Sequence, residues 1–361
     1  MKKNKYFFIS IMLFLTGILL IILANNYFNL KSIFNLKYLN NNITLNVNQL
    51  EKIYIPDNNT VINLTFIGDS LLASFKGEKT KNNFQDLLET HDYSFPYKNV
   101  SSIFKADDFT IANGENVFTD KDLIEREKDH DPAYWYKAKT KYANIYKESS
   151  IELVSLMNNH SYDYGSTGFL DTKKALEDVG VIPGVEEVVI LEKEGVKIGL
   201  ICTNLFHEFQ ANEVLKKIEK IKESVNYIVI YFHGGIEYQY KPSSEIVTYS
   251  HKFIDRGADL VIGCHPHVLQ PIEIYKNKTI VYSLGSFIFG GTLNLVNRTI
   301  IYQVKLTFLK NELIVQDTNI IPCYLYSSKI EYENYQPGII NNPEEKRRVI
   351  DFMKGIREFP Y

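Results

Sequence analysis

The sequence is poor in cysteine, and its cysteines lie far apart in the chain. Cys202, Cys264 and Cys323 are the only thiols among 361 residues, and no Cys-x-x-Cys pair occurs. This number and spacing exclude a disulfide-based scaffold. Cys264 lies next to a histidine and is a candidate reactive thiol or soft metal ligand, but a small buried cysteine is the interpretation we prefer.

An excess of positive charge is also absent. The 40 lysine and arginine residues face 43 acidic residues, which gives a formal net charge of −3, and no long basic stripe occurs. The chain therefore lacks the electrostatic footprint of a nucleic-acid-binding protein, and we expect no nucleic acid partner. Hydrophobic residues make up 45% of the chain, which is enough for one large or two ordinary domains with a full core.

One long apolar run is present at residues 6–24, directly after Lys2, Lys3 and Lys5. At about 1.5 Å per helical residue it spans about 30 Å, the thickness of the hydrocarbon core of a bilayer. The alternative is a cleaved signal peptide, which usually has an apolar region of only about 7–15 residues and a small-x-small cleavage site. No clear site of this kind precedes Asn25. The run therefore predicts an uncleaved transmembrane helix.

The lysines at the start of this helix predict its orientation. By the positive-inside rule they stay in the cytoplasm, so we expect a single-pass protein of the cell membrane whose folded part is extracytoplasmic. We divide the chain into a cytoplasmic tip and anchor at 1–28, a polar, Asn-rich stalk at 29–60, a folded domain at 61–325 and a C-terminal extension at 326–361. Within this extension, the polar segment 344–357 predicts a surface helix.

Five apolar stretches, each predicted to be a strand, end in side chains that can bind metal ions or exchange protons. The stretches are residues 61–67, 108–112, 151–157, 227–232 and 259–263. Helical patterns at 168–180 and 243–257 and a hairpin at 188–201 separate some of them and predict an α/β fold with mixed sheets. In such folds, ligand sites lie beyond the carboxyl ends of the strands, where loops converge.

The side chains that follow these stretches suit divalent metal ions. The candidate donors are Asp69, Glu115, Asn159, His160, His233, His265 and His267. Carboxylate, amide and imidazole groups favour Mn, Fe or Zn, and seven candidates favour two ions that share a carboxylate. Two ions at close range stabilise both the attacking and the leaving oxygen of a displacement, as in metallophosphoesterases. A serine nucleophile is disfavoured because the chain has no Gly-x-Ser-x-Gly elbow.

Single members of this set have simpler interpretations. Pro266 favours an extended backbone at His265, and residues two apart in an extended chain project to the same side, so His265 and His267 are expected to reach one point. Taken alone, the pair is also consistent with hydrogen-bonded loop histidines, and Asp69 with a helix cap. The combination of five strand ends is what favours a metal site.

Six motifs, in order, resemble the signature of the CapA family of poly-γ-glutamate capsule synthesis proteins, from about residue 62 to about residue 325. They are Gly68-Asp69, Asn113-Gly114-Glu115, Asn158-Asn159-His160 with Asp163-Tyr164-Gly165, His233-Gly234-Gly235, residues 258–273, and Tyr282-Ser283-Leu284-Gly285-Ser286-Phe287. The chain departs from the family pattern at Val117, at Cys264 and after Gly68-Asp69, where members commonly have an arginine and this chain has none.

The resemblance implies the four-layer αββα sandwich of calcineurin-like metallophosphatases, an α/β fold that is anchored here by an N-terminal transmembrane helix. It implies that Glu115 bridges two divalent ions and that the full set of metal ligands is Asp69, Glu115, Asn159, His233, His265 and His267. It also implies that His160 contacts substrate or protonates a leaving group. The residues expected to contact substrate are Asn113, Asn158 and Glu237.

The implied function is that of a membrane-anchored, extracytoplasmic, metal-dependent hydrolase or transferase. It would act in the synthesis, export or trimming of poly-γ-glutamate or a related anionic surface polymer. The expected partners are this polymer, other subunits of a membrane polymer synthase, and the membrane. Two alternatives stay open: a non-catalytic assembly subunit, and a phosphomonoesterase or nucleotidase. Retention of all seven candidate donors argues against the first, because a scaffold does not need them.

Overall fold

The computed structural model describes residues 59–75, 77, 83–129, 132–289, 297–327 and 334–361. They belong to one unit, Pro56–Tyr361. The predicted transmembrane helix and almost all of the predicted stalk lie outside the described residues. Within the described residues, no helix is both long enough and apolar enough to cross a membrane.

The strands are arranged in two large sheets and one small sheet. In chain order the strands are β1 (Asn59–Ser70), β2 (Ser74–Phe75), β3 (Phe109–Gly114), β4 (Val117–Phe118), β5 (Tyr136–Ala138), β6 (Leu153–Ser155), β7 (Ile182–Gly184), β8 (Val189–Lys193), β9 (Val196–Asn204), β10 (Tyr227–His233), β11 (Leu260–Cys264), β12 (Leu269–Tyr275), β13 (Lys278–Leu284), β14 (Ser286–Ile288), β15 (Thr299–Leu309), β16 (Glu312–Tyr324) and β17 (Gly338–Ile339). The α-helices are α1 (Phe84–Thr90), α2 (Ser101–Phe104), α3 (Asn144–Glu148), α4 (Gly165–Asp178), α5 (Glu208–Ile221), α6 (Ser244–Arg256) and α7 (Pro343–Met353).

Both large sheets mix parallel and antiparallel strands. The first has the order β17-β16-β15-β1-β3-β6-β7, and β14 pairs in parallel with the end of β1. In this sheet β1, β3 and β6 are parallel, whereas β15 runs antiparallel to β1. The second has the order β12-β13-β11-β10-β9-β8, in which β9, β10, β11 and β13 are parallel. The mixed α/β arrangement expected from the sequence is confirmed.

The buried apolar side chains fall into three clusters that define four layers. One cluster lies between helices α1–α4 and the first large sheet. A second contains residues of both large sheets and therefore lies between them. The third lies between the second large sheet and helices α5 and α6. Each large sheet thus buries apolar surface on both faces, which is the main source of stability of the stack.

The central strand β1 shows why the sequence folds in this way. Ile62, Leu64 and Phe66 alternate along the strand and are buried in the cluster between the two large sheets. Ile67 is buried in the cluster on the helical side. Alternate side chains of a strand point to opposite faces of the sheet, so a nearly continuous apolar run is required where both faces are covered.

Two local predictions from the sequence are confirmed. The hairpin predicted at 188–201 is the antiparallel pair β8 and β9. The helix predicted at 243–257 is α6, which begins after Ser243 and ends before Gly257. The Ser243 side chain accepts a hydrogen bond from the Ile246 backbone N–H, and Gly257 has a φ of 124°. A serine before the first residue of a helix and a glycine after the last are both signals of a helix boundary, and both can be recognised in the sequence.

The C-terminal helix differs from the expected surface helix. We predicted a polar helix over 344–357, whereas α7 ends at Met353 and has one buried face. Val349, Phe352 and Met353 belong to the cluster between the two large sheets. Phe352 and Met353 lie three and four positions after Val349, which places the three residues on one side of a helix. The helix therefore covers part of the core rather than lying only on the surface.

Glu152 is a half-buried carboxylate directly before β6. Its Oε2 accepts a hydrogen bond of 2.7 Å from the Thr110 backbone N–H. Burial raises the pKa of the Glu152 carboxyl from its usual 4.5 to about 7, against the lowering effect of this hydrogen bond, and Asp107 adds to the rise. Between these two pH values the unfolded chain releases a proton that the folded protein keeps. The free energy of unfolding therefore falls as the pH rises through this window.

Glu152→Gln removes this titration and keeps an oxygen that accepts the Thr110 N–H. We expect the variant to melt at a higher temperature than the wild type at about pH 8, and to differ little at about pH 4.5. Thermal unfolding at both pH values measures the effect. Glu148→Gln, at an exposed carboxylate of α3, is the control and should show no pH-dependent difference. An equal effect of Glu152→Gln at both pH values would contradict the prediction.

Candidate metal centre

The carboxyl ends of β1, β3, β10 and β11 bring the candidate donors to one place. Among the described residues, four overlapping groups of three side chains have ligand atoms within 4.8 Å of one another. They are Glu115, His233 and His265; Asp69, Glu115 and His267; Asp69, His233 and Cys264; and Glu237, His265 and His267. Asn159 joins them from the loop after β6, because its Oδ1 lies 2.8 Å from His233 Nε2. Parallel strands of both large sheets end here, which is why residues far apart in the chain converge.

Asp69 lies near the end of β1 and is held as a carboxylate. Its Oδ1 accepts a hydrogen bond of 2.9 Å from Asn113 Nδ2, and its Oδ2 accepts one of 3.2 Å from the His265 backbone N–H. His233 Nδ1 and His267 Nδ1 lie 3.4 Å and 3.2 Å from its carboxyl oxygens. Burial by itself raises the pKa of Asp69. The hydrogen bonds and charge interactions with His233 and His267 outweigh burial and hold this pKa well below its usual range.

Glu115 is also buried, but it lacks the hydrogen bonds that Asp69 receives. Neither of its carboxyl oxygens has a hydrogen-bond partner among the described residues. Burial raises the pKa of Glu115 well above its usual value, and the charges of Asp69 and Glu237 raise it further. Its Oε1 lies 3.6 Å from His233 Nε2. A buried, unpartnered carboxylate is costly, and a cation beside it would remove that cost. The donor set therefore fits a divalent metal ion.

His233, at the end of β10, lies at the centre of the cluster. Its Nε2 is 2.8 Å from Asn159 Oδ1 and 3.1 Å from His265 Nδ1. Its Nδ1 is 3.1 Å from Asn113 Nδ2. Burial lowers the pKa of His233, although Asp69 acts in the opposite direction. The ring is therefore neutral at neutral pH, which is the form of imidazole that binds metal ions.

His265 and His267 reach the cluster through a backbone that the sequence did not predict. We expected an extended chain around Pro266, but φ is 102° at His265 and 58° at His267. The expected extended conformation is wrong, although the two rings do converge, with centroids 5.8 Å apart. Positive φ is unfavourable for residues other than glycine. Two hydrogen bonds offset that cost: Tyr238 N–H donates to the Pro266 carbonyl at 2.8 Å, and His265 N–H donates to Asp69 at 3.2 Å.

Asn113 and Asn158, which we expected to contact substrate, lie behind the donors. Both side chains are buried. Asn158 Nδ2 donates to Asn113 Oδ1 at 3.0 Å and to the Gly114 carbonyl at 2.8 Å. Asn113 Nδ2 in turn donates to Asp69. The two amides are therefore engaged within the protein, where they hold Asp69 and the end of β3 in position.

Glu237, the third residue expected to contact substrate, lies at the solvent-exposed edge of the cluster. It is exposed, and its carboxylate is within 4.8 Å of nitrogens of His265 and His267. Aromatic rings line the cluster beside it. Phe206 packs edge-on against His265, with centroids 4.9 Å apart, and Phe289 packs against His267 at 4.6 Å. These rings fix the orientation of the two imidazoles and exclude water from one side of each.

His160 is oriented by two residues that the sequence reasoning missed. Its Nδ1 lies 2.9 Å from Asp163 Oδ2, and Asp163 Oδ1 lies 2.6 Å from Lys128 Nζ. The Tyr136 backbone N–H also donates to Asp163 Oδ2, at 2.9 Å. Burial lowers the pKa of His160, against the effect of Asp163. The contact with Asp163 occupies Nδ1, so Nε2 is the nitrogen left for proton exchange. The three-residue spacing of His160 and Asp163 was a usable signal.

Cys264 is buried, as the sequence suggested. Its Sγ donates to the Phe232 carbonyl at 3.3 Å and lies 3.6 Å from His233 Nδ1. Burial raises the pKa of the Cys264 thiol well above its usual value. The thiol is therefore neutral and packs behind His233.

Two Bacillus proteins are similar in sequence to this chain. Capsule biosynthesis protein CapA of Bacillus anthracis is 26% identical over 260 residues, which cover 64% of this chain and 60% of that protein. The match thus spans less than two thirds of that relative. PGA biosynthesis protein CapA of Bacillus subtilis (strain 168) is 27% identical over 270 residues, which cover 68% of each chain.

A solved structure of a phosphatase from Mycoplasma pneumoniae superposes with a TM-score of 0.48 and 14% identity, over 73% of this chain and 94% of that one. Residues 63–291 match the family described as bacterial capsule synthesis protein PGA_cap. These residues include every candidate metal donor and the motifs that surround them. The chain belongs to the PGA_cap family of bacterial capsule synthesis proteins.

Proposed function

We propose that this protein is a membrane-anchored, extracytoplasmic hydrolase or transferase of the metallophosphatase type. It acts on poly-γ-glutamate or a related anionic surface polymer, during its synthesis, export or trimming, beside other subunits of a membrane synthase. Membership of the capsule synthesis family and the printed names of its Bacillus relatives support the polymer. The order of helices, sheet, sheet and helices supports the αββα sandwich of such phosphatases.

The observation that carries the metal-dependent reaction is the unpartnered carboxylate of Glu115 inside a cluster of donors. We assign two divalent ions, Mn, Fe or Zn, to this cluster, and Glu115 would help to hold both of them. The proposed ligands are Asp69, Glu115, Asn159, His233, His265 and His267. When bound, such ions act as Lewis acids that stabilise negative charge at the reacting centre.

His160 is the proposed proton-transfer group. Asp163 holds its Nδ1 at 2.9 Å, so Nε2 is presented to a substrate in the cluster. Lys128 in turn neutralises Asp163 through a contact of 2.6 Å. A buried Asp163 without this partner would compete with the metal donors for positive charge. Lys128 and Asp163 are therefore positioning residues, and His160 is the residue that contacts the reacting group.

Glu115→Gln should have opposite effects without and with metal. In metal-free protein it replaces a buried acid that has no partner, so we expect the free energy of unfolding to rise by about 1–3 kcal/mol. With metal, it removes a charged ligand. The stabilisation by Mn²⁺, about 2.7 kcal/mol at a concentration 100-fold above Kd, should then be lost. Thermal unfolding with chelator and with Mn²⁺ measures both effects.

The matched control is Glu187→Gln, at an exposed carboxylate away from the cluster. It should leave both measurements unchanged. Elemental analysis of the purified proteins gives the metal content directly. A Glu115→Gln protein that retains the metal content of the wild type would show that Glu115 is not a ligand.

His265→Ala and His160→Ala should separate a metal ligand from a proton-transfer residue. We expect His265→Ala to lower both metal content and activity, because it removes a bond to the ion. We expect His160→Ala to keep its metal and to lose turnover by about 10²–10⁴-fold, the usual contribution of general acid–base catalysis. Metal analysis together with a polymer production assay measures both results.

His251→Ala is the control, since His251 lies on α6 and pairs with Glu273 at 3.0 Å. It should retain both metal and polymer production. Full polymer production by His160→Ala, at normal abundance and with metal bound, would instead identify the protein as a non-catalytic assembly subunit.

The proposed topology places the lysines before residue 6 in the cytoplasm and Tyr361 outside. The basis is the apolar run at residues 6–24 and the positive-inside rule. We expect a periplasm- or surface-active reporter fused after Tyr361 to be active, and a cytoplasm-active reporter at the same position to be silent. Activity of only the cytoplasmic reporter would refute this topology.

A further inference from the structure

A cavity of about 550 Å³ opens beside the candidate metal centre. Its lining includes Arg126, Glu127, Lys128, Asp129, Asn159 and Asp163. Asn159 belongs to both sites, because its Oδ1 lies 2.8 Å from His233 Nε2. The volume is within the range of about 300–1,000 Å³ that is typical of ligand sites. A group bound in this cavity is therefore next to Asn159, which itself contacts the candidate metal donor His233.

Hydrogen bonds to fixed parts of the fold hold the wall of the cavity in place. The Arg126 backbone N–H donates to the Asp163 carbonyl at 2.8 Å, and Trp135 Nε1 donates to the Arg126 carbonyl at 2.7 Å. Lys128 Nζ donates to the Tyr134 carbonyl at 2.6 Å. The backbone of this segment is thus tied both to the loop that carries His160 and to the aromatic residues behind it. A preorganised wall loses less entropy when a ligand binds.

The wall presents both signs of charge to a ligand. Lys128 is already neutralised by Asp163 at 2.6 Å. Arg126, Glu127 and Asp129 are exposed and form no ion pair with any residue in the described ranges. The cavity therefore offers one guanidinium and two carboxylates besides the Lys128 contact. A ligand that satisfies all three must carry a positive and a negative group close together.

We infer that this cavity binds the amino end of the polymer chain, a residue that carries an ammonium and a carboxylate on one carbon atom. Arg126 binds the carboxylate, for which the planar guanidinium offers two parallel N–H donors. Glu127 and Asp129 bind the ammonium. The inference rests on the proposed function, since it takes the substrate to be poly-γ-glutamate or a related polymer of amino acids.

An interior segment of the polymer matches these charges less well. Each interior γ-linked residue has a free carboxylate and no ammonium, so Glu127 and Asp129 would face only like charge. A phosphate monoester or a nucleotide meets the same repulsion. Because the cavity adjoins the metal donors through Asn159, the protein acts on the terminal residue rather than within the chain.

Trp135 provides a direct probe of this binding. It is the only tryptophan in the chain, and its indole N–H contacts the Arg126 carbonyl. The full-length protein in detergent, loaded with Mn²⁺, is titrated with a γ-linked glutamate tetramer that has a free amino end, and with the same tetramer acetylated at that end. We expect the acetylated tetramer to bind at least about tenfold more weakly, by fluorescence and by calorimetry.

Substitutions test which residues of the cavity bind the carboxylate and which bind the ammonium. Arg126→Ala should weaken both tetramers by at least about tenfold, because both carry the carboxylate. The double variant Glu127→Gln with Asp129→Asn should lose the preference for the free amino end. Arg256→Ala is the control, at an arginine of α6 that lies 3.6 Å from Glu219, and should bind both tetramers as the wild type does. Metal content and melting temperature of each variant show that it is folded and loaded.

The comparison of the two tetramers uses the wild type, so it does not depend on the folding of any variant. Equal affinity for both, or no response to either by fluorescence and calorimetry, overturns the inference. Metal content separates this failure from failure of the proposed function. A wild type that binds metal but shows no preference retains the metal-dependent function and loses only the terminal-residue specificity. A wild type that binds no metal loses the proposed function as well.

Discussion

A buried hydrogen bond from Tyr231 Oη to the Ile67 carbonyl, 2.6 Å long, joins the two large sheets directly beneath the candidate metal centre. Tyr231 lies two residues before His233 in β10, and Ile67 lies two residues before Asp69 in β1. Burial raises the pKa of Tyr231 well above its usual value, so the phenol remains a donor. Phe66 stacks on its ring, with centroids 6.2 Å apart. This contact helps to fix the relative position of Asp69 and His233, because each belongs to a different sheet.

The cluster built on this contact holds two carboxylates whose environments are opposite. Asp69 receives hydrogen bonds from Asn113 and the His265 backbone, and histidines lower its pKa. Glu115 has no hydrogen-bond partner in the described part of the chain, and burial raises its pKa. The difference comes from the surroundings and not from the residue type. A buried carboxyl group without a hydrogen-bond partner is costly, and a cation beside Glu115 would remove that cost.

The loop after β6 connects the proposed chemistry with the proposed recognition of substrate. Asn159 contacts His233 in the cluster of candidate donors, and Asp163 contacts Nδ1 of His160, the proposed proton-transfer group. The same loop supplies Asn159 and Asp163 to the lining of the mixed-charge cavity. A ligand seated in that cavity therefore touches the loop that sets the proton-transfer group. If the proposals hold, binding of the polymer end and alignment of His160 would both depend on this loop.

Residue patterns alone predicted the central strands of both large sheets and the candidate donors that follow them. Apolar runs that end in Asp69, His233 or His265 predict strand ends. A strand that is covered on both faces must be apolar, so the first polar residue after it indicates where the buried strand ends. Glycine and serine at the ends of α6 were likewise local signals. Helix α5 had such a signal too, in the helical spacing of its buried Val214 and Ile218, but the sequence reasoning passed over it.

Tertiary structure alone decided how the donors are presented. The positive φ values of His265 and His267 are unfavourable locally and are offset by hydrogen bonds to Asp69 and Tyr238. The Asn113 side chain is fully engaged by Asn158, in the loop after β6, and by Asp69, in β1. Whether a carboxylate gains partners, as Asp69 does, or stays without them is set by groups distant in the chain. A periodic pattern reports which face of an element is buried, but it carries no information about which residue lies opposite.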